Sequence, residues 1–296
     1  MYIGRFAPSP TGPLHFGSLV AAVASFCEAK AHRGHWLVRM EDLDKPREIK
    51  GAADTILHQL EAFGFEWQGK VIYQSLRHDA YAEVLQQLKN KKLVYPCTCT
   101  RKEIADNSHQ LGVDGVIYPQ TCLKHPLKPH VTAAWRIKTN QAEISFNDAI
   151  QGNIRQMLSQ QIGDFILKRA DGLFAYQLAV VVDDAAQGIT HIVRGADLLD
   201  STPRQIYLQQ MLSYNTQQYA HIPVANDVAG QKLSKQTLAE PIDTNDASVT
   251  LWKALHFLGQ QPPDEIKNVI LAEVWHWALT HWNLAYIPKL RARATE

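Results

Sequence analysis

Three of the four cysteines crowd together: Cys97-x-Cys99, then Cys122 after 22 intervening residues. Soft thiolates at that spacing supply three ligands of a tetrahedral Zn2+ site, and by ordinary ligand chemistry His125 or His109 would supply the fourth. The surrounding stretch, from about 94 to 129, is rich in Cys, Pro, Gly and His and shows no sustained hydrophobic period. A metal would hold it where a core does not. The start of the chain is not signal-like, and no apolar run approaches the ~20 residues of a membrane span. With cysteines used this way, the expectation is a reducing, cytoplasmic setting and no membrane partner. Cys27 stands alone in an apolar, helix-like run and reads as core filler.

A second set of residues suits phosphate chemistry. The loop from Pro8 to Ser18 (PSPTGPLHFGS) separates a short apolar segment from a long apolar helix, whose free N–H groups and partial positive charge would face an anion. His15 adds a polarising or cationic hydrogen bond, and Gly17 lets a ligand approach the backbone closely. Far along the chain, Lys232 and Lys235 stand three apart around Ser234 in a polar stretch (QKLSKQ). Two competing phosphate motifs fail. Residues Gly64 to Val71 (GFEWQGKV) nearly spell a GxxxxGK[ST] loop, but Val71 replaces the Mg2+-binding hydroxyl, and the segment follows a helix instead of joining a strand to one. The dinucleotide fingerprint GxGxxG is absent.

These residues need a scaffold, and the hydrophobic pattern supplies one. Residues 2–7 read as a strand, Phe16 to Ala31 as a helix, His35 to Met40 as a strand and Ala52 to Phe63 as a helix, a βαβα opening that implies a parallel sheet. Val71 to Tyr73 suggests a third strand and Asp79 to Leu88 an amphipathic helix. Trp135 to Lys138 alternates like a strand, and Phe174 to Val182 followed by Ile189 to Val193 reads as two buried strands. Ser201 to Leu212 gives another helix, and Asp246 to Trp282 is mostly helical, with Trp252, Trp275, Trp277 and Trp282 assigned to the core. With 296 residues the chain is long enough for about two domains. Thirty basic against 29 acidic residues leave a formal charge of +1, so any nucleic acid must be held by local patches and shape.

Taken as a pair, HFGS (His15 to Ser18) and KLSKQ (Lys232 to Gln236) resemble the HIGH and KMSKS signatures of class I aminoacyl-tRNA synthetases. Three further segments, RFAPSPTG (Arg5 to Gly12), VRMEDLD (Val38 to Asp44) and RGADLLDST (Arg194 to Thr202), narrow the resemblance to the glutamyl-tRNA synthetase family over residues 1 to about 240. The chain departs from the signatures at Ser18, where the second His of HIGH would stand, and at Gln236, where the last Ser of KMSKS would stand. Only about sixty residues follow KLSKQ, against the large anticodon-binding region of full-length members.

The resemblance implies an α/β fold with a Rossmann-like class I catalytic core. The expected division is residues 1–77 for its first half, 78–154 for a zinc-containing insertion, 155–212 for its second half, and 213–296 for the KLSKQ loop and a helical subdomain. It implies ATP, with Mg2+, as substrate, handled by His15, Gly17, Ser18, Lys232, Ser234 and Lys235, of which His15 and the two lysines are catalytic. L-Glutamate would be bound by Arg5, Ala7, Ser9, Glu41, Tyr176 and Arg194, with Arg5 on its side-chain carboxylate and Glu41 on its ammonium. For one structural Zn2+ per chain it points to Cys97, Cys99, Tyr118 and Cys122, with His125 the reserve to Tyr118. The short form implies transfer of glutamate to queuosine at the wobble position of tRNA(Asp), by a monomer. A truncated enzyme charging an acceptor 3′ end, and a non-catalytic paralogue that binds amino acid or tRNA, are the other readings.

Overall fold

A computed structural model of the protein describes residues 1–125, 127–227 and 240–295. The opening is the expected alternation: β1 (Ile3–Phe6), α1 (Phe16–Ala31), β2 (His35–Met40), α2 (Ala52–Ala62) and β3 (Ile72–Tyr73), with β1, β2 and β3 paired in parallel in that order. Helix α1 is apolar on nearly every side, and its residues Leu19, Val20 and Ala22 to Ala29 are buried. A helix of that composition belongs inside. It lies between the sheet and two C-terminal helices, and Phe26 meets Trp36, Phe65 and Trp275 edge-on at ring separations of 5.0–5.3 Å. The indole N–H groups find partners, Trp36 on Ser25 Oγ at 3.0 Å and Trp275 on the Phe63 carbonyl at 2.7 Å.

After α3 (His78–Asn90) come β4 (Val94–Cys97), α4 (Arg101–Asn107), the small hairpin β5 (Leu111–Gly112) and β6 (Gly115–Val116), α5 (Thr121–Lys124) and β7 (Ala134–Ile137). The hairpin of β8 (Glu143–Asp148) and β9 (Gly152–Met157) leads through α6 (Leu158–Gln161) to β10 (Ile166–Lys168), which completes an antiparallel sheet ordered β10-β7-β4. Helix α7 (Tyr176–Ala186), β11 (His191–Gly195), α8 (Thr202–Leu212), β12 (Gln218–Ile222) and β13 (Val224–Asn226) return the chain to the parallel layer. Strands β11 and β12 pair in parallel, and β12 in turn pairs with the end of β8. Thr190 donates its backbone N–H to the Ile3 carbonyl at 2.9 Å, which sets β11 beside β1. Helices α9 (Ala247–Phe257) and α10 (Leu271–His281) pack on α1, and β14 (Ala292–Ala294) closes against β13.

One element differs from expectation. The apolar run from Phe174 to Val182 is not a strand: after a single bridge at Phe174 it enters helix α7 at Tyr176, buried from Gln177 to Asp184. An unbroken apolar run has the same appearance in a buried strand and in a helix buried on several sides, and here α3 and α8 cover it. The four C-terminal tryptophans are in or against the core: Trp252 and Trp275 are buried, and Trp277 and Trp282 pack on it half-buried. Cys27 is fully buried, as expected of core filler, and burial raises its thiol pKa well above the ordinary range. Among the described residues no helix is long and apolar enough to cross a membrane.

Candidate active site and thiol cluster

In an open parallel sheet, ligands settle beyond the carboxyl ends of the strands, where neighbouring crossovers leave in opposite directions. Strands β1 and β11 meet at such a point, and beyond their ends lies a cavity of about 430 Å³. Arg5, Ala7, Ser9, His15, Gly17, Ser18, Glu41, Tyr176 and Arg194 all line it. Each enters from a strand end or the helix just after it: the end of β1 and its loop, the first turns of α1, the exit of β2, the start of α7 and β11. Ile222, Pro223, Val224 and Ala225 close the opposite wall. Residues scattered over 190 positions of sequence thus converge because the strands that carry them are neighbours.

Buried charge dominates one side. Arg5 is 4% exposed and donates to Asp184 through two nitrogens, Nε to Oδ1 at 3.2 Å and an Nη to Oδ2 at 3.4 Å. Arg5 also lines the cavity. Arg39, fully buried, donates to the same Asp184 at 2.7 Å, to Gln187 at 2.7 Å and to Glu41 at 3.2 Å. Burial opposes ionisation of Asp184, yet the two guanidiniums and their hydrogen bonds bring its pKa below the usual carboxylate value. Glu41 goes the other way: burial raises its pKa, against the pull of Arg39 and Arg5. Its carboxyl group is oriented by the bond from Arg39 and lines the cavity. The helical course of α7 explains the economy of this arrangement, because successive residues point about 100° apart. Asp184 takes Arg5 and Arg39, while Asp183 takes Gln74, Arg77 and Tyr81 at 2.8, 2.5 and 2.7 Å.

Across the cavity, Arg194 is 5% exposed. One of its Nη atoms donates to Thr202 Oγ1 and Gln205 Oε1, both at 2.8 Å, and the other to the Tyr176 hydroxyl at 3.3 Å. His15 is the N-cap of α1, and its Nε2 lies 3.1 Å from Ser18 Oγ, so the serine in place of a second histidine still shares the polar edge of the loop. Lys232, Ser234 and Lys235 lie outside the described residues. The described residues flanking that segment are at the cavity: Val224 and Ala225 line it, and Pro241 bridges to His15.

The cysteine cluster is assembled by β4 and α5. The sulfurs of Cys97, Cys99 and Cys122 lie within 4.8 Å of one another. The Tyr118 hydroxyl is 3.3 Å from Cys97 Sγ and 3.6 Å from Cys99 Sγ, and the Cys99 and Cys122 sulfurs are 3.5 Å apart. A tetrahedral ion with Zn–S bonds of about 2.3 Å would hold sulfurs about 3.8 Å apart, so the donor atoms already sit at coordinating separations. Burial works against the Cys122 thiolate, but hydrogen bonds from the Tyr118 hydroxyl, the Thr98 N–H and the neighbouring thiols lower its pKa to about 7. The Arg136 guanidinium lies 4.0 Å over the Tyr118 ring in a cation–π contact, while burial and the hydrogen bonds with the thiols raise the phenol pKa above its ordinary value. His109 and His125 are both exposed and neither is in the group of sulfurs, while the Tyr118 hydroxyl lies beside it. The fold around the cluster is tied down locally: Thr100 and Glu103 form a reciprocal capping box on α4, and Lys128 reaches Glu103.

The supports of the site were not among the expected residues. Arg39 and Asp184 carried a weak signal, a charge inside a strand and an acid ending an apolar run, but their partners lie 145 and 179 positions away.

Comparison with known proteins agrees with this geometry. Residues 3–273 match the family model for tRNA synthetases class I (E and Q), catalytic domain. Relatives named glutamyl-Q tRNA(Asp) synthetase include one from Dechloromonas aromatica, 55% identical over 289 residues covering 97% of this chain and 96% of the relative. Another, from Neisseria meningitidis serogroup B, is 53% identical and covers 98% of each chain. Among solved structures, glutamate-tRNA synthetase from Elizabethkingia anophelis superposes with a TM-score of 0.79 at 23% identity, over 99% of this chain and 68% of that one. At that identity the likeness speaks for the fold, a class I catalytic α/β architecture. The motif residues gathered at one sheet edge, the match over 3–273 and the near-full-length identity lead to a single assignment: the chain belongs to the glutamyl-Q tRNA(Asp) synthetase family of class I tRNA synthetases.

Proposed function

We propose that the protein activates L-glutamate with ATP to glutamyl-adenylate and then transfers the glutamyl group to queuosine at the wobble position of tRNA(Asp). The observation that carries this reading is the convergence of Arg5, Glu41, Tyr176 and Arg194 with the His15 loop on one cavity. In the first step the α-carboxylate of glutamate attacks the α-phosphate of ATP and pyrophosphate leaves. In the second, a hydroxyl of the nucleoside attacks the acyl carbon and AMP leaves. Arg5 receives the side-chain carboxylate, Glu41 the ammonium, and Tyr176 with Arg194 the remaining polar edge of the amino acid, with Ala7 and Ser9 along the floor. His15, Gly17, Ser18 and the α1 N-terminus hold the phosphates from one side, where free N–H groups favour an anion. Lys232, Ser234 and Lys235, which lie outside the described residues, would by the motif they resemble act on the leaving pyrophosphate, and Mg2+ accompanies ATP. Such chemistry gains from in-line positioning and from charge placed on the leaving group.

The test is transfer of radiolabelled glutamate, with ATP and Mg2+, to tRNA(Asp) prepared with and without queuosine. Label on the queuosine-containing tRNA alone is expected. Label on both tRNAs would instead favour charging of a 3′ end, and absence of glutamate-dependent ATP–pyrophosphate exchange would remove the reading altogether.

The thiol cluster supports a structural Zn2+, which Cys97, Cys99, Tyr118 and Cys122 would hold and which would cross-link a segment that has little core of its own. One zinc per chain is expected by elemental analysis. Tyr118→Phe should release zinc to a competing chelator at least about tenfold more readily, a loss of the size seen when even outer partners of a metal are removed. His125→Ala should leave zinc affinity unchanged, and the reverse pattern would move the fourth ligand to histidine.

A further inference from the structure

Behind Arg194, on the side away from the cavity, lies a buried pair that the chemistry above does not use. His221 and Asp148 are 0% and 1% exposed. Strands β12 and β8 run in parallel with Tyr219 opposite Asp148, which brings the two side chains together. Asp148 Oδ2 is 2.5 Å from His221 Nδ1, while Oδ1 accepts the backbone N–H groups of His221 at 3.1 Å, Ile150 at 3.0 Å and Gln151 at 2.9 Å. A carboxylate accepting so many N–H bonds stays ionised in spite of burial. The proton it faces is therefore on Nδ1. The other ring nitrogen, Nε2, receives Arg194 Nε–H at 3.0 Å and lies 3.1 Å from the Thr202 hydroxyl. An imidazole that accepts from a guanidinium cannot also hold a proton on that nitrogen. Burial and the Arg194 charge, opposed by Asp148, lower the His221 pKa to about 4, so the ring is neutral at ordinary pH.

The donors of Arg194 can now be counted. Nε–H goes to His221, one Nη goes to Thr202, Gln205 and, at 3.5 Å, the Leu198 carbonyl, and the remaining Nη has the hydroxyl of Tyr176, which lines the cavity together with Arg194. The bond to His221 is the one that holds Nε, and with the acceptors gathered on one Nη it fixes the guanidinium plane at two points, leaving the third nitrogen to the Tyr176 hydroxyl and the cavity lining.

We propose that His221, locked by Asp148 in the Nδ1–H tautomer, is a positioning residue for amino-acid recognition: its Nε2 acceptor fixes Arg194 so that one chosen edge meets the substrate. This rests on the reading that Arg194 contacts glutamate. The bland alternative is a histidine that merely fills the core, and the two differ in what they move. In ATP–pyrophosphate exchange, His221→Leu should raise the KM for glutamate about tenfold or more, as expected for loss of a hydrogen bond to a charged group, while the KM for ATP stays within about twofold. His221→Gln, whose amide oxygen reaches the place of Nε2, should recover most of the loss. Equal shifts in both KM values, or none, would overturn the proposal. Should the variants not fold, nitrogen NMR of the wild-type histidines decides: a neutral ring protonated on Nδ1 from pH 6 to 8 is expected, and an Nε2–H or doubly protonated ring refutes it. Arg194→Ala with an unchanged KM for glutamate would instead strike the underlying assignment of Arg194.

Discussion

Arg5→Ala should lower kcat/KM for glutamate activation by about a thousandfold while the KM for ATP changes little. Arg5 lines the cavity and is held there by a two-point bond to Asp184, so in the proposed role it would meet the substrate carboxylate with little reorganisation. Two charge-assisted hydrogen bonds at about 2 kcal/mol each give roughly 4 kcal/mol, close to three powers of ten in rate. Arg5→Lys should recover little of this, since an ammonium keeps the charge but cannot hold Asp184 and the substrate with separate edges of one plane. Glutamine should be a poor substrate of the wild type for the same reason, its carboxamide offering no charge to the fork. Glutamate-dependent exchange at wild-type rates in Arg5→Ala would rule the assignment out.

The second large effect concerns stability. Asp184→Asn leaves Arg5 and Arg39 buried with their shared anion gone, and breaking a buried pair from one side typically costs about 3–5 kcal/mol. A midpoint shift of that size in urea unfolding at neutral pH is expected. The pH dependence follows from the same site. Because the folded pKa of Asp184 lies below its ordinary value, its contribution is complete above the unfolded pKa of about 3.9 and is lost as pH falls through the lower, folded value. The wild type should therefore lose stability on acidification below about pH 4, and the difference between it and Asp184→Asn should shrink there. A difference that stays constant into acid would mean that the carboxylate charge is not what the arginines need.

The loops were more legible in the sequence than their supports. Residues Pro8 to Ser18 announced a strand-to-helix turn through proline, glycine and a histidine before an apolar run, and α1 begins at Phe16 and ends at Ala31 as expected. Residues Phe174 to Val182 misled, because alternation is absent from any segment buried on all sides. Tyr118 came from family resemblance, since generic ligand chemistry prefers the exposed His125. Asp148 and His221 gave no signal at all: each is an ordinary residue in a short strand, and their relation appears only when β12 takes its place beside β8.

The seating of β11 beside β1 also has a consequence in time. Ile3 meets Thr190 across 187 positions, so the wall that carries both Arg5 and Arg194 is closed by a contact distant in sequence. On a ribosome adding about 5–20 residues per second, β1 waits on the order of ten seconds or more for its neighbour. Through that interval the β1-α1-β2 unit can form from local contacts, but one edge of β1 has unpaired backbone groups, the kind of edge to which other chains add. Conditions that slow synthesis between residues 40 and 190 should therefore raise aggregation more than equal delays after residue 222, when both inner strands have been made.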